Sequence, residues 1–378
     1  LRVLRAVLCG LPVVGSVLLS LAPAMPGQAA AQPWRQWRTQ AGVMTLVLVG
    51  DAASALVGET APEPTTGRPQ SRLVRVEASS ARAVWARAYR NSNCCGLPAV
   101  GWLGRSGLAF AAGDELVLVT LGGEVVARLD LGGTTLDAAA AGGRMLVGVV
   151  RVRPGAVAHE LVAVEAGRVL WRVGFPQVVA VALSSEGLAA AASLAAVAVL
   201  DGQTGQVRWR LPLEEGRLVD LAFAPGARLV VAQKTAAGTL RVLAVDGRTG
   251  AHRWTVSLGP TVAPAVAVVE GHIVVSDARG RLAALISAAG AVQQRWTDAQ
   301  GPVFVARSPQ GEVAVATGAD VVVQRPDGAV RWRGTVPGSI YGLRLDGPWL
   351  AAIGTVAGDA QVPDRVWFAR TDRASAVR

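Results

Sequence analysis

Few side chains in this chain could do chemistry, and their spacing narrows them further. Cys94 and Cys95 are adjacent in NSNCCGLP and, with Cys9, are the only cysteines. In an oxidising compartment neighbouring cysteines can close a strained vicinal disulfide, a rigid and redox-capable turn. His159, His252 and His272 are too scattered for a zinc site, and His159-Glu160 lacks the second histidine of a metalloprotease helix. Lys234, the only lysine, follows no phosphate-binding glycine loop, and no Gly-x-Ser-x-Gly elbow occurs. Asp201, Asp246 and Asp327 stand in glycine-containing runs and read as turn formers. No catalytic or metal-binding set is expected, and any cofactor contact would fall to Cys94 and Cys95.

Composition sets the class that must position these residues. The 378 residues are 51% hydrophobic and 17% charged, which excludes disorder and provides for a large core. The net charge of +10 is almost all arginine and favours acidic surfaces. No basic run with interleaved aromatics occurs, so specific nucleic-acid binding is not expected. LRVLR followed by AVLCGLPVVGSVLLSLAPA, with Ala29, Ala30 and Ala31 beyond Pro26, has the form of an export signal cleaved after Ala31. An uncleaved membrane anchor is the alternative for residues 1–31, because that apolar stretch is just long enough to span a bilayer.

A repeated turn organises the remainder. Trp209 follows Gly205 by four residues in LDGQTGQVRWRLPL, and the same offset recurs at Trp171, Trp254 and Trp332. Looser copies hold Trp85 and Trp296, and Ala127 takes the tryptophan's place in LGGEVVARL. The interval is about 40 residues, the signature of a β-propeller. Each interval holds four strand-like runs, as one propeller blade requires. Around Trp254 these are LVDLAFA, RLVVAQK, LRVLAV and HRWTVSL. Neighbouring blades diverge toward the rim, so the outermost strand needs a large apolar side chain there. Trp37, Trp85, Trp171, Trp209, Trp254, Trp296 and Trp332 are therefore expected to dock blade on blade. By the two-residue strand period, Arg208 and Arg210 should turn away from Trp209 onto an exposed edge.

Asp201, Thr204, Gly205 and Trp209, and equally Asp246, Thr249, Gly250 and Trp254, resemble the repeat of pyrroloquinoline-quinone-like (PQQ-like) propellers. The resemblance covers most of residues 43 to 370. That family includes BamB-type assembly propellers and quinoprotein dehydrogenases, and it implies fold more strongly than chemistry. The dehydrogenases carry a vicinal cysteine pair packed on the cofactor, but their calcium ligands and aspartate base have no counterpart here.

The final repeat, residues 339 to 378, lacks a fourth strand, whereas QPWRQWRTQ at 32 to 40 resembles an outer strand without partners. The expectation is an all-β, eight-bladed propeller over residues 32–378, closed by its N-terminal strand; seven blades is the second choice. The function expected is that of an exported, periplasmic or extracellular, monomeric and non-catalytic scaffold for a protein, peptide or cell-envelope partner. The alternative is a small quinoprotein-like oxidoreductase using pyrroloquinoline quinone with calcium beside Cys94 and Cys95.

Overall fold

Valine- and alanine-rich runs between glycine turns form strands throughout, and no helix occurs among the described residues. The computed structural model describes residues 34–38, 42–48, 54–62, 69–90, 99–102, 107–213, 216–261, 264–277, 282–297, 303–356 and 364–372. Cys94, Cys95 and the expected export signal lie outside them.

The strands run antiparallel in four-stranded sheets, almost always in chain order. After β1 (Arg35–Arg38), the first sheet holds β2 (Gly42–Leu48), β3 (Ser54–Pro62), β4 (Pro69–Glu77) and β5 (Arg82–Arg90). The second holds β6 (Ala99–Trp102), β7 (Leu108–Ala112), β8 (Glu115–Val119) and β9 (Val125–Asp130). Next come β10 (Thr134–Ala141), β11 (Arg144–Arg153), β12 (Ala156–Glu165) and β13 (Arg168–Phe175). The fourth sheet is β14 (Ala180–Leu183), β15 (Leu188–Ala192), β16 (Ala196–Asp201) and β17 (Val207–Pro212). The fifth is β18 (Gly216–Ala224), β19 (Arg228–Thr235), β20 (Thr239–Asp246) and β21 (His252–Pro260), matching the four runs read around Trp254. Two further sheets are β22 (Pro264–Val269), β23 (His272–Asp277), β24 (Leu282–Ile286), β25 (Val292–Thr297) and β26 (Val303–Arg307), β27 (Val313–Thr317), β28 (Asp320–Gln324), β29 (Val330–Thr335).

The last sheet departs from chain order. It consists of β30 (Ser339–Asp346), β31 (Trp349–Thr355) and β32 (Arg365–Arg370), with β1 as its fourth strand. Trp37 pairs with Val366 and Arg35 with Phe368, so the N-terminal strand supplies what the final repeat lacks.

By contact density the described residues fall into two units: one within Leu1–Glu59, Val74–Val84 and Pro260–Arg378, the other within Thr60–Leu73 and Trp85–Gly259. In the second unit Leu188, Ala190, Val197 and Val199 of one sheet pack against Leu218, Leu229 and Val231 of the next. The middle strand β15, LAAAA, is buried along its whole length, because sheets stacked on both faces leave room only for small side chains. In the first unit Trp332, Ile340, Leu343 and Trp367 share one core, with Trp34 against it.

Candidate functional site

The repeated turn is built by one carboxylate. Asp201 Oδ1 accepts the N–H groups of Gln203 and Thr204, and the Gly205 N–H donates to the Asp201 carbonyl at 2.8 Å. Gly205 adopts a positive φ of 73°, which is why glycine stands there. Asp246 repeats the arrangement with Arg248, Thr249 and Gly250.

In the second unit the turns at Gly123, Gly205 and Gly250 each seat the tryptophan of the preceding sheet, whereas nothing stands within 4 Å of where a Cβ on Gly328 would be. The indole N–H of Trp171 donates to the Gly202 carbonyl at 3.0 Å, that of Trp209 to Gly247 at 2.9 Å and that of Trp85 to Leu121 at 2.9 Å. Gly205 lies over the Trp171 ring and Gly250 over Trp209, and Gly167 covers Ala127 where no tryptophan stands. In the first unit Trp296 is buried against Val303 and Val305, Trp332 meets Trp34 edge-on at 5.4 Å, and Trp37 packs on the core around Phe368. Trp254 is half-buried.

The arginines beside these tryptophans do not simply point outward. The register shifts between Val199 and Leu200, because Val207 and Trp209 are paired and Arg208 is the extra residue of a β-bulge. The bulge breaks the two-residue alternation, and Arg208 folds back onto Asp201 at 2.6 Å. Arg253 meets Asp246 at the same distance and the same seven-residue spacing. The Arg208 hydrogen bond holds the Asp201 carboxyl well below its usual range, at about 2, and Arg253 lowers Asp246 likewise. These ion pairs are turn locks.

One element exceeds its sheet. The pairing of β10 with β11 reaches only Thr134 and Val150, and that of β12 with β13 only His159 and Phe175. Residues 151–158 therefore pair only with each other, closing over Pro154 and Gly155. In the fifth sheet, by contrast, Gly216 pairs with Thr235, so the corresponding hairpin is covered along β18 to its end. Val152 and Val157 face each other at the tip and are 68% and 49% exposed.

The base of this hairpin is pinned on both faces. On one, Arg151 meets Glu160 at 3.0 Å, and Arg172 adds a hydrogen bond to the Leu131 carbonyl. Gly133 has no Cβ because the Arg151 stem and the Val150 carbonyl fill that space. On the other, His159 Nδ1 accepts the Val178 N–H at 3.3 Å, and burial lowers the imidazole's pKa so that it serves as a neutral acceptor. Beyond this clamp Arg153 is exposed and has no ion pair among the described residues. The arrangement is a stiff pedestal carrying an apolar tip with one unneutralised cation.

Two other features lie in the same unit. Asp137 follows a bulge in β10, and its Oδ2 accepts the Val181 N–H of β14 at 2.8 Å. Burial pushes its pKa up to about 6, partly offset by the N–H groups of Val181 and Ala138. A notch of about 350 Å³ is lined by Arg144, Ser185, Glu186, Asp201, Gln203 and Arg208. Its cations are already engaged, Arg144 by Glu165 and Arg208 by Asp201, which leaves no free charge for a ligand. No group of three potential metal ligands occurs among the described residues, and no helix there is long and apolar enough to cross a membrane. RVRPGAV has the same form as any strand, turn and strand, so the sequence carries no signal for the hairpin tip.

Residues 156–301 match the family model described as "Outer membrane protein assembly factor BamB". No curated protein sequence matches the chain. Among solved structures it is similar to the computationally designed Ika8 protein, at 15% identity and a TM-score of 0.63, over 89% of this chain and 99% of that one. It is similar to the Dos1 propeller at 11% identity and a TM-score of 0.62, over 93% and 98% of the two chains. BamB from Moraxella catarrhalis aligns at 15% identity with a TM-score of 0.46, over 71% of this chain and 95% of that one. The likeness to the Dos1 propeller shows the fold, a β-propeller.

Proposed function

We propose that this PQQ-like repeat β-propeller is a non-catalytic scaffold at the cell envelope, and that it holds a protein partner on the tip of the β11–β12 hairpin. The observation that carries the reading is the exposed Val152–Val157 pair on a pinned base. Burial of a valine side chain contributes on the order of 1.5–3 kcal/mol when complete. Little ordering cost offsets it, because the base is already fixed. Arg153 at the same tip selects a partner surface that carries a carboxylate. The family description, an outer-membrane assembly factor, supports an envelope setting and a protein partner. The export signal read in residues 1–31 supports the same compartment.

The test is a variant with Val152, Val157 and Arg153 all changed to serine. The melting temperature should stay within a degree or two of the parent's, since the tip is exposed and pairs with no strand outside the hairpin among the described residues, while any partner that co-purifies with the parent is lost. A variant that retains the partner would refute the assignment. An absorbing quinone in the purified parent, active as a dehydrogenase, would refute the non-catalytic reading.

A further inference from the structure

The edge strands of the sheets show a second surface pattern. β1, β5, β9, β13, β17, β21, β25 and β29 together carry fourteen arginines and a single acid, Asp130, although carboxylates on neighbouring strands and turns pair with Arg38, Arg128, Arg172, Arg208, Arg253 and Arg331. Most of the large apolar side chains exposed among the described residues stand on the same strands, including Val169 and Leu170 of β13 and Val207 of β17. Arg168 and Arg210 are exposed beside them and have no carboxylate partner among the described residues.

Protection of a sheet edge against pairing accounts for charge but not for aliphatic neighbours. A single-stranded nucleic acid would need aromatic faces for its bases. The tryptophans of β13 and β17 are instead turned into the seams, where their N–H groups are used.

We propose that β13 and β17, the edge strands of two successive sheets, dock on an anionic phospholipid bilayer. Guanidinium groups bind lipid phosphates through paired N–H donors, while the neighbouring valine and leucine side chains enter the headgroup boundary.

The test is sedimentation of the full chain with vesicles of phosphatidylcholine alone or with one part in three phosphatidylglycerol. The wild type should partition far more strongly onto the anionic vesicles. Each arginine near such a surface is worth roughly five-fold in binding. R168Q/R210Q should therefore lose about ten-fold or more at an unchanged melting temperature, and V169S/V207S should lose affinity for the same vesicles. Equal partitioning of the wild type on neutral and anionic vesicles would mean that the apolar N-terminal segment acts alone, and would overturn the proposal. So would undiminished binding by R168Q/R210Q.

Discussion

Gly205 and Trp171 are partners across two sheets: a Cβ on Gly205 would stand 2.8 Å from the indole ring, whose N–H already donates to Gly202 in the same turn. The two most regular features of the repeat, the turn glycine and the tryptophan, therefore do not serve each other within one copy. The turns at Gly123, Gly205 and Gly250 seat Trp85, Trp171 and Trp209 of the copy before. That relationship makes these seams directional.

Gly205→Ala separates the contact from the backbone. Gly226 has nearly the same φ, 76° against 73°, but nothing stands within 4 Å of where its Cβ would be. Gly226→Ala should cost on the order of 1 kcal/mol for the left-handed conformation alone. Gly205→Ala should cost roughly 1–3 kcal/mol more, because the methyl group must displace a packed indole. Urea denaturation of the two variants measures the difference, and equal costs would mean that the seam yields freely.

Asp137 makes stability depend on pH in a defined direction. Its pKa in the folded chain, about 6, lies above the ordinary value of 3.8. The stability it contributes is therefore fully present below about pH 4 and lost as pH rises through about 6. Asp137→Asn keeps an oxygen to accept the Val181 N–H and removes the titration. Relative to this variant, the wild type should be more stable at pH 4 than at pH 7 by on the order of 1–3 kcal/mol. A stability difference that stays constant across that interval would show that Asp137 is not desolvated.

Removal of residues 34–38 tests the shared final sheet. The Trp34 contact with Trp332 would be lost, Trp367 would lose its hydrogen bond to Gln36, and β32 would become an open edge. The cost should be several kcal/mol by comparison with other large buried deletions, about 3–5 kcal/mol per aromatic side chain. Differential scanning calorimetry of the shortened chain would show it, and an unchanged melting temperature would mean that β1 is dispensable.

The fold was legible because its determinants are local and recur. Asp201, Gly205 and Trp209 lie within nine positions and are echoed at Asp246, Gly250 and Trp254. The last sheet was legible by elimination, since QPWRQWRTQ had no strand of its own to join. The Asp201–Arg208 lock could have been found from its seven-residue spacing, repeated at Asp246 and Arg253, but simple alternation hid it because a bulge intervenes. The hairpin tip was not legible. Its protrusion depends on where β10 and β13 stop, a property of their pairing and not of residues 151–158. Asp137 was equally hidden, because its burial comes from the neighbouring sheet that supplies Val181.

The most direct test of the scaffold is photo-crosslinking from the hairpin tip in cells that make the protein. A photoreactive amino acid at Val152 should give one discrete protein adduct. The same residue at Leu194, 45% exposed in the turn between β15 and β16, should give none. Leu194 is apolar and exposed but does not stand on a projecting hairpin, so it controls for mere surface stickiness. A discrete adduct at Val152 that disappears when Arg153 and Val157 are changed to serine is the predicted result. Equal adducts at both positions, or none at Val152, would contradict the account.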